Sequence, residues 1–545
     1  MILGDGAVRV LMIAAPLTPL LLALAGVKGG VRRYLPDLLP FAPLPALLAA
    51  LLVPDGASVL SPDPLRLTLV METPGAVLLG ASAVLWCAAG VFLRGYFTPG
   101  QRLRGLSIWW LLTMSGSLGV FLVGDLASFY LTFALASLPA WGLAADEDTP
   151  RGRRAGRVYL AMTLVGEACL LFAFVMLAAD GPVANPLIRD AVAAVPDSAG
   201  RAVIVLLLVL GFGLKIGLVP LHVWMPLVYR AAPAPAAAVL SGIVVKAGVI
   251  GLIRFLPFED GLRIWGDVLV GAGLFSAYFG VLVGLTQKDA RVVLAYSSVS
   301  QMGVLAAVGG AALASADAAG PLVGAFYAAN HVLLKGAMFL AVGVLDRAGR
   351  SRRRGALLVA ALLGLSLAGL PFTGGALAKY AIKPVFGEGI AAVLVTVSAA
   401  GTAALMLHFV ACLAARAAPV QSNGLPDRMR LSFLVLSVLA LVLPYTLFTA
   451  VTGLPFGVAF TPAALVKALW PVLLGAALAF GVARVARRLP QVPPGDVLVV
   501  VERLGPRLRP LGRGLDRLDL VLGQWPVASL LLVAIALGLG LLFVA

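Results

Sequence analysis

About sixteen apolar stretches of roughly twenty residues follow one another along this chain, from 9–27 to 526–545, with short loops between most of them. Twenty helical residues rise about 30 Å, the thickness of the hydrocarbon core of a bilayer. Inside lipid every backbone polar group needs a partner from the protein, and runs of this length meet that demand as helices. Of the 545 residues, 61% are hydrophobic and 12% are charged, too little polar surface for a soluble domain. The expected fold class is all-α: a polytopic membrane protein with about 14–16 transmembrane helices. The first stretch lacks a charged leading region and a small-residue cleavage site, so it reads as a retained span and not as a removed signal peptide.

The formal net charge of +16 sits mainly in loops. Lys28, Arg32 and Arg33, then Arg94, Arg102 and Arg104, then Arg151, Arg153, Arg154 and Arg157, then Arg347, Arg350, Arg352, Arg353 and Arg354 fall in alternate loops. The intervening loops carry few basic residues: Arg66, Arg189, Arg201 and Arg263. Cytoplasmic loops are the basic ones. The expectation is a multi-pass protein of the cell inner (plasma) membrane, with both termini outside the cytoplasm. Charge scattered in this way argues against nucleic acid as a partner. The bilayer itself is the first partner. Between the last two spans, residues 500–523 alternate arginines with leucines and valines, the pattern of a short amphipathic segment lying in the headgroup plane.

Cys87, Cys169 and Cys412 all lie in apolar runs, with no CxxC pair and no zinc spacing. No nucleotide loop or haem pair occurs either, so no cofactor, metal site or catalytic group of its own is expected. The energy for any work must come from partner subunits or from an existing gradient.

Against this background four lysines stand out within the spans: Lys215, Lys246, Lys335 and Lys379. A lysine near the centre of a spanning helix costs about 2.5–3.5 kcal/mol on insertion scales, so each must face a bundle interior, water or a partner. An amine withdrawn from water holds its proton less firmly, which is the property a proton relay needs. Asp125, Glu167, His222, His331 and His408 lie in or beside the spans and could join the same axis. His331 and Lys335, at i and i+4 in "NHVLLKGAMF", share one helix face, whereas His408 reads as a hydrogen-bonded packing residue.

Two of these lysines stand next to helix breakers. Pro220 follows Lys215 by five residues, and Pro371, Gly374 and Gly375 precede Lys379 in "GLPFTGGALAKY". Interrupted helices at matching places in two halves suggest inverted repeats, here spans four to eight and nine to thirteen.

The run "KIGLVPLHVWMPLVYRAAPAPAAAVLSGIVVKAGVIGLIRF" sets out Lys215, Pro220, His222, Trp224, Pro226, Pro233, Lys246, Gly248 and Arg254. "QKDARVVLAYSSVSQMG", "HVLLKGAMFLAVGVL" and "SLAGLPFTGGALAKY" follow in series. Together these resemble the antiporter-like subunits shared by respiratory complex I, Mrp-type cation/proton antiporters and membrane-bound hydrogenases, over roughly residues 75–415. The resemblance implies a core with two inverted five-helix repeats, each with a broken helix. The corresponding division is 1–104 for N-terminal helices, 105–254 and 264–415 for the repeats, and 416–545 for C-terminal helices with an interfacial segment. It also implies a hydrated axis on which Lys215, Lys246, His331 and Lys379 carry protons; Lys335 and His222 are added to that set as polar groups within or beside the spans, not by the resemblance.

The chain departs from the pattern at Ala134, where the family's fifth helix carries a glutamate that pairs with the lysine of helix seven. Glu167, one span later, is expected to supply that counter-charge to Lys215. The acid that follows W-x-P in the family is replaced by Leu227, which places the chain nearer Mrp-like or hydrogenase-like relatives than the core subunits of complex I. The function implied is a proton-translocating subunit working among other membrane subunits, with any sodium path elsewhere in the complex. An alternative is a proton-driven energy-coupling subunit of an inorganic-carbon uptake complex. A scaffold without transport is disfavoured, because leucine at each lysine would recover insertion free energy.

Overall fold

The structure, a computed structural model, describes residues 4–60, 67–97, 100–145, 149–179, 185–416, 424–485 and 492–499. The amphipathic segment expected at 500–523 and the last expected span, 526–545, lie outside the described residues. Twelve helices among the described residues are long and apolar enough to cross a membrane. Residues through Pro494 form one compact unit; a second begins at Gly495, within which residues 496–499 are helical.

The principal helices are α1 (Asp5–Ala25), α2 (Leu44–Leu52), α3 (Thr73–Tyr96), α4 (Gln101–Gly119), α5 (Leu126–Ser137), α6 (Pro150–Ala179), α7 (Arg201–Ile216) and α8 (Trp224–Ala231). After these come α9 (Ala234–Phe255), α10 (Arg263–Gly284), α11 (Ala290–Ser315), α12 (Gly320–Leu345), α13 (Arg350–Ala368), α14 (Gly374–Ile382), α15 (Ile390–Ala415), α16 (Asp427–Thr452) and α17 (Pro462–Val485). One element departs from the all-α expectation among the described residues. A two-stranded antiparallel hairpin, β1 (Ser58–Leu60) and β2 (Thr68–Val70), joins α2 to α3.

The centre of the unit is α12, which packs against α3, α9, α11, α13 and α16. It carries apolar residues on all sides, as a helix enclosed by others must. By contrast α1 and α17 expose leucines, valines and Trp470 along much of their surfaces, as lipid-facing helices do. α10 and α11 form a close antiparallel pair. Gly266 and Gly273 on one, and Gly303 and Gly310 on the other, meet the opposing backbone where a Cβ would collide with it. Small residues at a helix contact let backbones approach, the usual source of tight packing where lipid removes the hydrophobic drive.

Two helices stop inside the unit by the same device. α7 ends at Gly217 (φ 75°), and the N–H of Leu218 reaches back to the Gly213 carbonyl at 2.9 Å. α13 ends at Gly369 (φ 95°), and the N–H of Leu370 reaches back to the Leu365 carbonyl at 3.0 Å. In both a left-handed glycine closes the last turn and a proline follows, Pro220 or Pro371, so the helix cannot resume at once. The chain re-enters helix at α8 and at α14.

Gly374 and Gly375 do something other than loosen this turn. Gly374 abuts the ring of Pro444, and Gly375 lies against the Ser366 carbonyl with no room for a side chain. They are contact glycines at the start of α14.

Candidate functional site

Lys215 lies in the last turn of α7, immediately before the break, where the partial negative charge of a helix C-terminus favours a cation. Lys379 lies in the last turn of α14 and has the same advantage. The Lys215 ammonium donates to Ser137 Oγ on α5 at 2.7 Å. It also stands 5.4 Å from the ring centre of Phe133 and 5.9 Å from that of Tyr159. The Tyr159 hydroxyl in turn donates to the Ser137 carbonyl at 2.9 Å.

Glu167, on α6, is 5% exposed and Lys215 is 4% exposed, and the two groups are close enough to act on each other electrostatically. The carboxyl lies within the influence of both Ser137 and Lys215. The structure therefore brings together the two residues paired on sequence grounds, with Ser137 between them. Ala134 is one turn from Ser137 on the same helix.

Gly248 of α9 faces the Phe212 carbonyl and the Lys215 Cβ of α7, so α9 passes close behind the first lysine. Two residues earlier, Lys246 is fully buried, and its Nζ is 2.6 Å from Nδ1 of His331 on α12. The five residues before this point, Leu240–Val244, are wound as a π-helix; Lys246 Nζ donates to the Ser241 carbonyl there at 3.2 Å. One-turn π segments inside α-helices recur at functional positions because they free a carbonyl from the ladder.

Lys335, also fully buried, donates to the Leu294 carbonyl of α11 at 2.8 Å. His331 and Lys335 share the expected face of α12 but take different partners.

The same face of α12 carries Tyr327, one turn before His331. Its hydroxyl contacts Gln301 Oε1 at 2.5 Å, and Gln301 Nε2 donates to Thr402 Oγ1 on α15 at 3.1 Å. Thr402 donates on to the Ser398 carbonyl at 3.0 Å, and Ser398 lines a cavity of about 280 Å³ that contains Lys379. A buried hydrogen-bonded chain thus runs from α12 through α11 and α15 toward the last of the four lysines. The sequence reading did not single out Ser137, Tyr327, Gln301 or Thr402. The i, i+4, i+8 spacing of Tyr327, His331 and Lys335 was the available signal for the tyrosine.

Several buried polar atoms along this route have no hydrogen-bond partner among the described residues: the Tyr229 hydroxyl, Ser297 Oγ, Ser300 Oγ, Asn330 Oδ1 and His331 Nε2. A buried polar group left unmet costs about 1–3 kcal/mol, so such atoms gather where water can reach them.

Other polar residues near the spans have different duties. His222, in the short turn between α7 and α8, is fully buried and packs its ring against Phe279 and Tyr296. His408 Nε2 meets the Gln287 carbonyl at 2.7 Å, the expected packing role. Asp125 does not join the axis. It caps α5 by accepting from Ser128 N at 2.8 Å and also binds Thr68 N at 2.6 Å and Asn185 Nδ2 at 2.9 Å. Arg254 donates to Glu72 at 2.9 Å and to the carbonyls of Phe121 at 2.9 Å and Val123 at 2.7 Å, holding the end of α9 to the α4–α5 turn.

The family model described as NADH:quinone oxidoreductase/Mrp antiporter, transmembrane, matches residues 123–406. The chain is 31% identical to hydrogenase-4 component B of Escherichia coli (strain K12) over 296 residues, which is 51% of this chain and 43% of that protein. It spans less than half the length of that curated relative. In three dimensions it resembles the Mrp complex from Dietzia sp. DQ12-45-1b, with a TM-score of 0.75 at 22% identity over 99% of this chain and 63% of that one. Respiratory complex I from Thermus thermophilus matches with a TM-score of 0.68, at 22% identity over 85% of this chain and 99% of that one. At these identities the structural likeness concerns the fold.

Proposed function

The chain belongs to the NADH:quinone oxidoreductase/Mrp antiporter transmembrane family, and from that premise we propose that it moves protons along the buried line from Glu167 and Lys215 to Lys379. It is a polytopic membrane protein whose structural neighbours are multi-subunit membrane complexes. Other membrane subunits and the energy source are accordingly sought in such a complex. The observation that carries the reading is the Lys246–His331 contact at 2.6 Å, with both residues buried. Two cations at that separation in a medium of low dielectric repel strongly, so the pair takes up a second excess proton only at high cost. A site that accepts one proton and passes it on is what a relay needs.

On this reading Glu167 stands in for the carboxylate missing at Ala134, alternately holding and releasing the Lys215 ammonium. Lys246, His331 and Lys335 form the centre. Tyr327, Gln301 and Thr402 lead toward Lys379, and water bridges the remaining buried polar atoms. His222, beside the break at Pro220, is a side station. The stop near Pro220 leaves the C-terminal carbonyls of α7 beside Lys215, and at the stop near Pro371 the end of α13, at Gly369, lies against the Lys379 side chain. The two repeats are placed at 105–254 and 264–415, between helices in 1–104 and 416–545. Sodium, if the complex carries it, crosses elsewhere, since the line is set with amines that repel cations.

The plasma membrane, with the arginine-rich loops in the cytoplasm, is the proposed setting. The pairing of Asp346 with Arg291 at 2.9 Å and Arg416 at 2.8 Å supports it, because it ties the start of the basic loop 347–354 to Arg291 and Arg416, two further arginines at helix ends. The direct test is proton flux in vesicles containing the complex purified through this chain. Flux dependent on the chain supports the proposal, and flux unchanged after all four lysines are replaced refutes it.

A further inference from the structure

The cavity at Lys379 opens between the end of α13, α14, α15 and α17, and three lysines line it: Lys379, Lys383 and Lys467. They are close enough to act on one another electrostatically, Lys383 on Lys379 and Lys467 on Lys383. No carboxylate is among the lining residues, and none of the three ammonium groups has an ion pair among the described residues. Lys215 likewise forms no ion pair among the described residues, but it has the Glu167 carboxyl near enough to act on it electrostatically. Three lysine amines around a space of about 280 Å³, with no carboxylate in its lining, favour an anion there.

The rest of the wall says which kind. It is mostly apolar, with Val395 and Leu454 among its residues. Lys467 lies in the second turn of α17, and in the segment before that helix Phe460 stacks on Phe372 at 5.1 Å and lies 6.0 Å from Tyr445. Tyrosines such as Tyr445 gather at headgroup depth. A charged end at the interface joined to an apolar wall fits an amphiphile and is wasted on a free inorganic ion. We propose that this cavity binds the headgroup of an anionic phospholipid, with its phosphate among Lys379, Lys383 and Lys467 and an acyl chain along the apolar wall. Resting on the relay reading, the lipid phosphate then supplies Lys379 with the counter-charge that Glu167 supplies to Lys215.

Binding is tested without reference to transport. The full chain is reconstituted in vesicles of phosphatidylcholine with phosphatidylglycerol, released into mild detergent and weighed by native mass spectrometry. Phosphatidylglycerol is expected to be retained in preference to phosphatidylcholine. Lys383→Gln and Lys467→Gln should each weaken retention about fivefold, and together about twenty-five-fold, the weight of one basic group each against an anionic lipid. Lys288→Gln, at an exposed loop position, should change nothing. Lys467 is exposed on its helix, so its single variant remains informative if the double variant fails to fold. Equal retention of the two lipids, full retention by Lys467→Gln, or displacement by millimolar inorganic phosphate overturns the proposal, the last by marking a free-anion site. Loss of proton flux in a Lys215 variant that still retains phosphatidylglycerol would bear on the relay and leave the lipid site standing.

Discussion

Lys246 Nζ and His331 Nδ1 approach to 2.6 Å across the contact between α9 and α12, and the residues are 0% and 1% exposed. One of the two nitrogens must donate and the other accept, so the contact requires that at least one partner be short of a full complement of protons. Replacing Lys246 with arginine separates charge from exchange, because a guanidinium keeps its proton at all accessible pH values. Lys246→Arg is expected to lower proton flux in vesicles by at least about a hundredfold, the scale of a positioned proton-transfer group. Flux near the wild-type level in the arginine variant would show that only a fixed positive charge is needed there.

Glu167 and Lys215 yield a rescue experiment. Glu167→Gln keeps the shape and removes the counter-charge, so flux should fall by about tenfold or more while the chain still folds. Ala134 is one turn from Ser137, the residue that receives the Lys215 ammonium. A carboxylate introduced from α5 should therefore reach the same amine, and Ala134→Glu in the Glu167→Gln background should restore part of the flux. Unchanged flux in Glu167→Gln removes the carboxylate from the mechanism, and a failed rescue with the fold intact restricts the counter-charge to α6.

The four lysines were legible because a charge in a long apolar run is a one-dimensional signal with a large insertion cost. The position of Glu167 beside Lys215 could be inferred only because the family pattern leaves a carboxylate missing at Ala134. Ser137, Gln301 and Thr402 were not legible, since hydroxyls and amides in spanning helices ordinarily bond within their own or a neighbouring helix. Ser137 itself does so, donating to the Phe133 carbonyl at 2.7 Å while it receives Lys215. The prolines marked the two breaks, but Gly217 and Gly369 perform them. A glycine two or three residues before a proline was the local sign of a helix stop. Asp125 misled for a related reason: a carboxylate at the start of a span is as well suited to capping, as it does at Ser128 N, as to transport.

The bridge from α12 to α15 makes a third test. Tyr327→Phe removes one hydroxyl from the chain that joins Gln301 to Thr402 and leaves the packing volume nearly unchanged. Gln301→Leu removes both links. Flux should fall up to about tenfold in the tyrosine variant and further in the leucine variant, in proportion to the hydrogen bonds lost. Thermal stability should fall by about 1–3 kcal/mol in each variant, because Tyr327→Phe leaves Gln301 Oε1 without that donor and Gln301→Leu leaves the Tyr327 hydroxyl without its acceptor. A large fall in melting temperature with flux per folded molecule intact would assign this trio to structure.

Arg254 provides the opposite case, a signature residue whose geometry is that of a clamp. Its side chain is 5% exposed, pairs with Glu72 and reaches the carbonyls of Val120, Phe121 and Val123, which lie between α4 and α5. Five donors in a planar fork can serve all of these at once, and a lysine ammonium cannot. Glu72 is 46% exposed, so solvent screens its share, and most of the stabilisation resides in the charged hydrogen bonds to the carbonyls. Arg254→Lys should cost about 1–2 kcal/mol and Arg254→Met about 2–4 kcal/mol, read as lowered melting temperatures in detergent. Proton flux per folded molecule should stay near the wild-type value in both variants. Should flux instead collapse at unchanged stability, Arg254 would belong to the proton path, and the line drawn from Glu167 to Lys379 would have to be extended to the opposite end of α9.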